Sequence, residues 1–127
     1  MTRDKLGKIT SVLSAELSRL LGERLMGVYL YGSQARGDAK PDSDIDVLVV
    51  IKGNFDYFGL IEETGQMVAD LSLENDVFIA LVFVSEEDYK NRHTPFLMNV
   101  RHEAISLAWA SEFYTTTDKF LVSEDKS

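Results

Sequence analysis

The sequence predicts an α/β domain, a small mixed β-sheet with helices packed mainly on one face. Apolar residues at helical spacing alternate with short runs rich in Val and Ile, in the order helix, strand, strand, helix, strand, helix. The connection between the first two strands is too short for a long crossover helix. These patterns leave the strand order within the sheet open.

The elements follow in order. Leu6, Ile9, Leu13, Leu17, Leu20 and Leu21 recur every three or four residues with Lys5, Lys8, Glu16 and Arg19 between them, the pattern of an amphipathic helix that ends near Gly22. Met26 to Tyr31 reads as a buried strand, Ser33 to Gly37 as a turn opening a short helix, and Gly37 to Ser43 as a polar loop holding Pro41. Asp44 to Lys52 is a second strand, too apolar for either face to be solvated. Past the Gly53-Asn54 turn, Phe58, Ile61, Gly65, Val68 and Leu71 keep helical spacing, although Gly59 and Gly65 each weaken that helix by roughly 1 kcal/mol relative to Ala. Val77 to Val84 is a third strand and Glu86 to Arg92 a helical turn. Thr94 reads as an N-cap with Pro95 at the first helical position and Phe96, Val100 and Ala104 facing inward. Ile105 to Trp109 is read as a short edge strand. Residues 1–110 form the predicted domain, and a polar tail, 111–127, is expected to be partly disordered.

Composition excludes several classes of function. With 13 basic and 21 acidic residues in 127, the net charge is -8, and no basic cluster is present to track a phosphate backbone, so direct nucleic-acid binding is not expected. The absence of cysteine removes disulfides, thiolate metal sites and cysteine nucleophiles. No stretch has transmembrane length and the N-terminus lacks a signal-peptide core, so a cytoplasmic protein without membrane association is expected.

Chemistry concentrates between Tyr29 and Ile51. An apolar run stops at Gly32-Ser33, and ten residues later a second apolar run opens with Asp44-Ile45-Asp46. In a strand, residues i and i+2 project from the same face, so the two carboxylates would sit side by side and repel unless a divalent cation lay between them. A Gly-Ser step between strand and helix presents free backbone N–H groups, which suit a phosphate. Either feature alone has an ordinary structural explanation, a tight turn or a solvated strand start. Together they point to metal-assisted phosphoryl or nucleotidyl transfer.

Gly32-Ser33-x₁₀-Asp44-Ile45-Asp46, set in Gly-Ser-Gln-Ala-Arg-Gly-Asp and Asp-Ser-Asp-Ile-Asp, resembles the signature of the minimal nucleotidyltransferases of the DNA polymerase beta superfamily. The resemblance implies the nucleotidyltransferase fold, with Asp44 and Asp46 as catalytic carboxylates coordinating two Mg²⁺ ions, and Gly32 and Ser33 cradling the phosphates of ATP or another nucleoside triphosphate. Arg36 would neutralise the leaving pyrophosphate or, as a surface residue, pair with Asp38 or Asp42. It further implies transfer of AMP to a hydroxyl, such as a tyrosine, on an all-helical HEPN-type partner, within a toxin–antitoxin module whose antitoxin is this chain. The alternative is a non-catalytic module that binds nucleotide or partner and neutralises or scaffolds by contact. A homo-oligomer is also compatible with the sequence.

Active members of that family usually add a third carboxylate from a later strand. Here that strand holds none in its interior, and Asp76 at its entrance is the candidate, with Asp70 and Glu103 as substitutes. His93 and His102 have no second ligand at metal spacing. Tyr29, Tyr31, Phe78 and Phe83 are expected in the core, and Trp109 in the core or at a partner interface.

Overall fold

The computed structural model describes residues 1–109. Helix α1 (Arg3–Leu21) begins where the Thr2 side chain accepts a hydrogen bond from the Lys5 N–H at 3.1 Å, and it ends at Gly22 in a positive-φ conformation. Its apolar stripe, Ile9, Leu13, Leu17 and Leu21, is buried as the spacing predicts. A single 3₁₀ turn leads into β1 (Leu25–Tyr31). A four-residue helix, α2 (Ser33–Arg36), precedes the polar loop and β2 (Ile45–Ile51). Then come α3 (Tyr57–Asn75), β3 (Ile79–Ser85), α4 (Glu86–Asn91), α5 (Pro95–Glu103) and β4 (Ile105–Trp109).

The sheet order is β3-β2-β1-β4. Strand β1 runs antiparallel to both β2 and β4, whereas β2 and β3 are parallel, so the sheet is mixed. The short 32–43 connection accounts for the antiparallel pair and α3 is the crossover that a parallel pair requires. Central β2 is buried on both faces: Ile45, Val47, Val49 and Ile51 pack under the two long helices, and Leu48 and Val50 pack with Leu97 and Val100 of α5. The two 19-residue helices share one face, leaving the shorter α4 and α5 for the other.

Three expectations are corrected in detail. Phe58 and Ile61 lie outside the buried stripe of α3, which runs through Leu60, Thr64 and Leu71. Phe78 precedes the first residue of an edge strand and is 63% exposed rather than in the core. In α5 the inward residue of the first turn is Leu97 instead of Phe96, whereas Val100 is buried and Ala104, the C-cap, packs against the same core as expected. The tail, the domain boundary at 110 and the side chain of Trp109 lie outside the described residues. Among those residues, no helix is long and apolar enough to cross a membrane.

Candidate functional site

The site forms where β1 and β2 end side by side. Antiparallel pairing puts Tyr31, the last residue of β1, opposite Asp46, and parallel pairing puts Ala80 of β3 on the other side of Asp46. Tyr31, Asp46 and Ala80 therefore make a row across the sheet on the face covered by α5. Asp44 lies one residue before the strand and is exposed, with Asp46 half-buried. The loop that carries Asp44 is held by the Gln34 side-chain amide donating to the Ser43 carbonyl at 3.3 Å, and by the Lys40 N–H donating to Ser43 Oγ at 2.8 Å.

Gly32 explains how the chain turns here. Its φ of 76° and ψ of -158° lie in a region that residues with a side chain avoid. A Cβ at this position would also overlap Asp46 Oδ2. The glycine thus brings the start of α2 directly against the Asp46 carboxylate. In α2 the Gly32 carbonyl accepts from the Ala35 and Arg36 N–H groups at 3.1 and 3.0 Å. Among the described residues no backbone carbonyl takes the N–H of Ser33 or Gln34, as expected for the first donors of a helix.

Charge around Asp46 is unbalanced. Burial and the neighbouring Asp44 push its carboxyl above the usual carboxylate range; Arg36 opposes that rise and Glu103 adds to it. Burial pushes the Tyr31 hydroxyl up as well, with Asp46 contributing. Arg36 is held by two acids, its Nε donating to Asp38 at 3.2 Å and its Nη1 to Glu103 at 2.9 Å. Both carboxylates raise Arg36 above its ordinary value. The Arg36–Asp38 pair matches the surface pairing read from sequence, while Glu103, with a side chain only 18% exposed, ties the end of α5 to α2.

The structure brings Gly32, Ser33, Arg36, Asp44 and Asp46 together. Asp76 is elsewhere: it caps the C-terminus of α3 at a φ of 50°, donating its N–H to Leu73 and Ser72 carbonyls. The position on β3 beside Asp46 is Ala80, which has no carboxylate to offer. Asp70 accepts from the Gln66 side chain on an exposed turn of α3. Glu103, which sequence offered only as a substitute, reaches the site through tertiary packing. Tyr31, expected in the core, borders the site and meets Phe96 edge-on at 5.5 Å.

The donor set tests whether a divalent ion fits. Asp44 and Asp46 are hard oxygen ligands, and no described side chain forms an ion pair or hydrogen bond with either carboxylate. Cation binding would relieve the repulsion that raises Asp46. Among the described residues no group of three acidic or imidazole side chains could hold a metal, so phosphate oxygens and water would complete the coordination shell.

Comparison with known proteins follows the same line. The sequence profile of the family described as nucleotidyltransferase domain matches residues 11–99. A candidate protein adenylyltransferase of Methanocaldococcus jannaschii is 36% identical over 81 residues, which is 63% of this chain and 75% of that protein. A second from the same organism is 40% identical over 45 residues, 35% of this chain and 46% of that protein. The spectinomycin 9-adenylyltransferase of Campylobacter jejuni is also 40% identical over 45 residues, 35% of this chain and 17% of the enzyme. The match thus spans less than half the length of these last two. Among solved structures, a candidate nucleotidyltransferase from Sulfolobus solfataricus superposes with a TM-score of 0.58 at 22% identity, covering 80% of this chain and 78% of that one. A chain in the structure of tri-AMPylated Shewanella oneidensis HEPN toxin with its MNT antitoxin gives a TM-score of 0.53 at 17% identity, covering 94% and 91%. These two likenesses establish the fold.

Proposed function

The chain belongs to the nucleotidyltransferase-domain family, and on that premise we propose that it transfers a nucleoside monophosphate, AMP from ATP, to a hydroxyl on a HEPN-type partner protein as the antitoxin of a two-component module. The observation that carries this reading is the apposition of Gly32 and Asp46, which sets a turn with unused backbone N–H donors against a carboxylate pair. The candidate protein adenylyltransferases among the relatives support the acceptor class, and the toxin–antitoxin complex among the solved structures supports the partner.

Each residue then has a task. The Ser33 and Gln34 N–H groups and the Ser33 hydroxyl donate to phosphate oxygens, and Gly32 leaves the backbone room to approach them. Asp44 and Asp46 would hold Mg²⁺, which when bound neutralises phosphate charge and lowers the pKa of a hydroxyl. Arg36 meets the negative charge that develops on pyrophosphate as the bond from the α-phosphorus to the leaving oxygen breaks and the acceptor oxygen bonds to phosphorus. The Asp38 and Glu103 carboxylates keep the guanidinium at the site before nucleotide arrives.

A second reading has its own observation, Ala80 beside Asp46. Without a third carboxylate there, the acceptor hydroxyl has no evident base on the sheet, which favours neutralisation of the partner by contact. Incubation with Mg²⁺, α-labelled ATP and the co-produced neighbouring protein separates the two readings. Label on the partner that disappears in Asp44→Asn/Asp46→Asn supports transfer. No label, with neutralisation undiminished in the double variant, would establish the contact reading instead.

A further inference from the structure

We propose that Asp38 stands in for a substrate phosphate on Arg36: its carboxylate holds the guanidinium edge that the triphosphate takes over, and by returning there it releases pyrophosphate. A guanidinium presents five N–H donors, and its Nε and Nη2 together form an edge that grips a phosphate through two parallel bonds. On Arg36 that edge is half filled. Its Nε donates to Asp38 Oδ2 at 3.2 Å, and among the described residues Nη2 has no partner. Glu103 is bound from the other side, through Nη1 at 2.9 Å. A phosphate on the Nε/Nη2 edge would therefore displace Asp38 and leave Glu103 in place.

Burial agrees with that division. The Asp38 side chain is 62% exposed, against 18% for Glu103. Asp38 is already largely hydrated and loses little when it lets go, but Glu103 would be left as a shielded, unpaired charge. Asp38 does more than Glu103 to raise Arg36 above its ordinary value, yet that measures attraction within the pair and not the cost of replacing it by water or phosphate. The exchange also leaves the backbone where it is. Gly37, with a φ of 85°, turns the chain so that the N–H groups of Gly37 and Asp38 both donate to the Ser33 carbonyl, at 3.0 and 3.2 Å. These bonds keep residue 38 beside Arg36 whichever partner its side chain has. Arg36 in turn acts on the Asp46 carboxyl, which puts the exchange within electrostatic reach of the carboxylate pair.

This inference rests on the nucleotide half of the proposed function and not on transfer itself. Its test titrates the full chain with pyrophosphate and with a non-hydrolysable ATP analogue, each with Mg²⁺. The proteins compared are wild type, Asp38→Asn, Glu103→Gln, Arg36→Ala, and the first two substitutions combined with Arg36→Ala. Asp38→Asn should bind both probes about twofold to fivefold more tightly, the equivalent of one exposed ion pair, and most of that gain should vanish without Arg36. Glu103→Gln should show no gain that depends on Arg36. In wild type the Nε–Hε nuclear magnetic resonance signal of Arg36, assigned by its loss in Arg36→Ala, should shift on saturation with pyrophosphate. In the label-transfer assay, Asp38→Asn should be inhibited by less pyrophosphate than wild type. A gain that persists in full without Arg36 reports only a lost negative charge and would overturn the proposal. So would an Arg36-dependent gain confined to Glu103→Gln, or an Nε–Hε signal that pyrophosphate does not move. Any of those results alongside label transfer by wild type removes this inference and leaves the transfer reading intact. An Arg36-dependent gain in Asp38→Asn without label transfer does the reverse. Wild type that binds neither probe removes both.

Discussion

Gly32 and Asp46 compete for the same space: a single methyl group on the glycine would overlap Oδ2 of the carboxylate. Gly32→Ala must therefore both move Asp46 and force a side chain into a backbone region with φ of 76° and ψ of -158°. The expected cost is about 1–3 kcal/mol of folding stability, read from the urea midpoint. Loss of Mg-ATP binding by titration calorimetry should accompany it. Full stability with unchanged nucleotide binding would remove Gly32 from the site.

Asp46 is held above the usual carboxylate range by burial and by Asp44. Its folded pKa is raised relative to the unfolded chain, so the folded state binds the proton more tightly, and stability falls as pH rises from below the unfolded value through the folded one. Asp46→Asn should therefore melt higher than wild type at pH 7 without metal. That advantage should fade as pH drops below the ordinary Asp range, where both forms are neutral. Mg²⁺ should close the gap at pH 7 by stabilising wild type alone. Parallel melting curves of the two proteins across pH 3–7, with and without Mg²⁺, provide the check.

Ala80 shares its register position with Asp46 on the adjacent parallel strand. Ala80→Asp puts a carboxylate beside the existing one. If the hydroxyl lacks a base in the native site, label transfer to the partner should rise by about a hundredfold, the lower end of what a positioned general base contributes. The same substitution should lower the melting temperature without Mg²⁺ by adding a like charge. A rate equal to wild type would show that the deprotonating group already exists elsewhere.

Arg36→Ala removes the cation that Asp38 and Glu103 hold at the turn. Loss of charge-assisted hydrogen bonds to phosphate, about 1.5–3 kcal/mol, corresponds to roughly tenfold to a hundredfold weaker nucleotide binding. Stability should change little, because the guanidinium is about half exposed and exposed ion pairs contribute little. Fluorescent-nucleotide titration and thermal melting of the same sample separate the two effects.

Where local spacing carries the information, the sequence was legible. Leu13 and Leu17 belong to the core of α1 by periodicity, Thr94 and Pro95 announce α5 by capping chemistry, and Gly32-Ser33 with Asp44 and Asp46 converge because both turns lie at the ends of adjacent strands. Other features depend on contacts that periodicity does not encode. Phe78 has the character of a core residue, yet β3 begins after it and lies at the sheet edge, so nothing covers its ring on that side. Phe96 and Leu97 are neighbours of similar hydrophobicity, and only the packing of α5 on β2 decides that Leu97 enters the core. Glu103 meets Arg36 across 67 residues of sequence, and neither residue has a local signal of that bond. Ala80 acquires meaning only once β3 is known to run parallel to β2 in a particular register.

Strand β2, which carries Asp46, is central in the sheet, and Val47 through Ile51 have no measurable exposure. Its central amides are expected to exchange at the slow end of the range, in openings close to global unfolding. Ligand affinity and global stability are thus thermodynamically linked at this position: saturation at 100 times Kd would add about 2.7 kcal/mol to unfolding. Nucleotides and metals can accordingly be ranked by thermal shift alone, without a transferable acceptor in the tube.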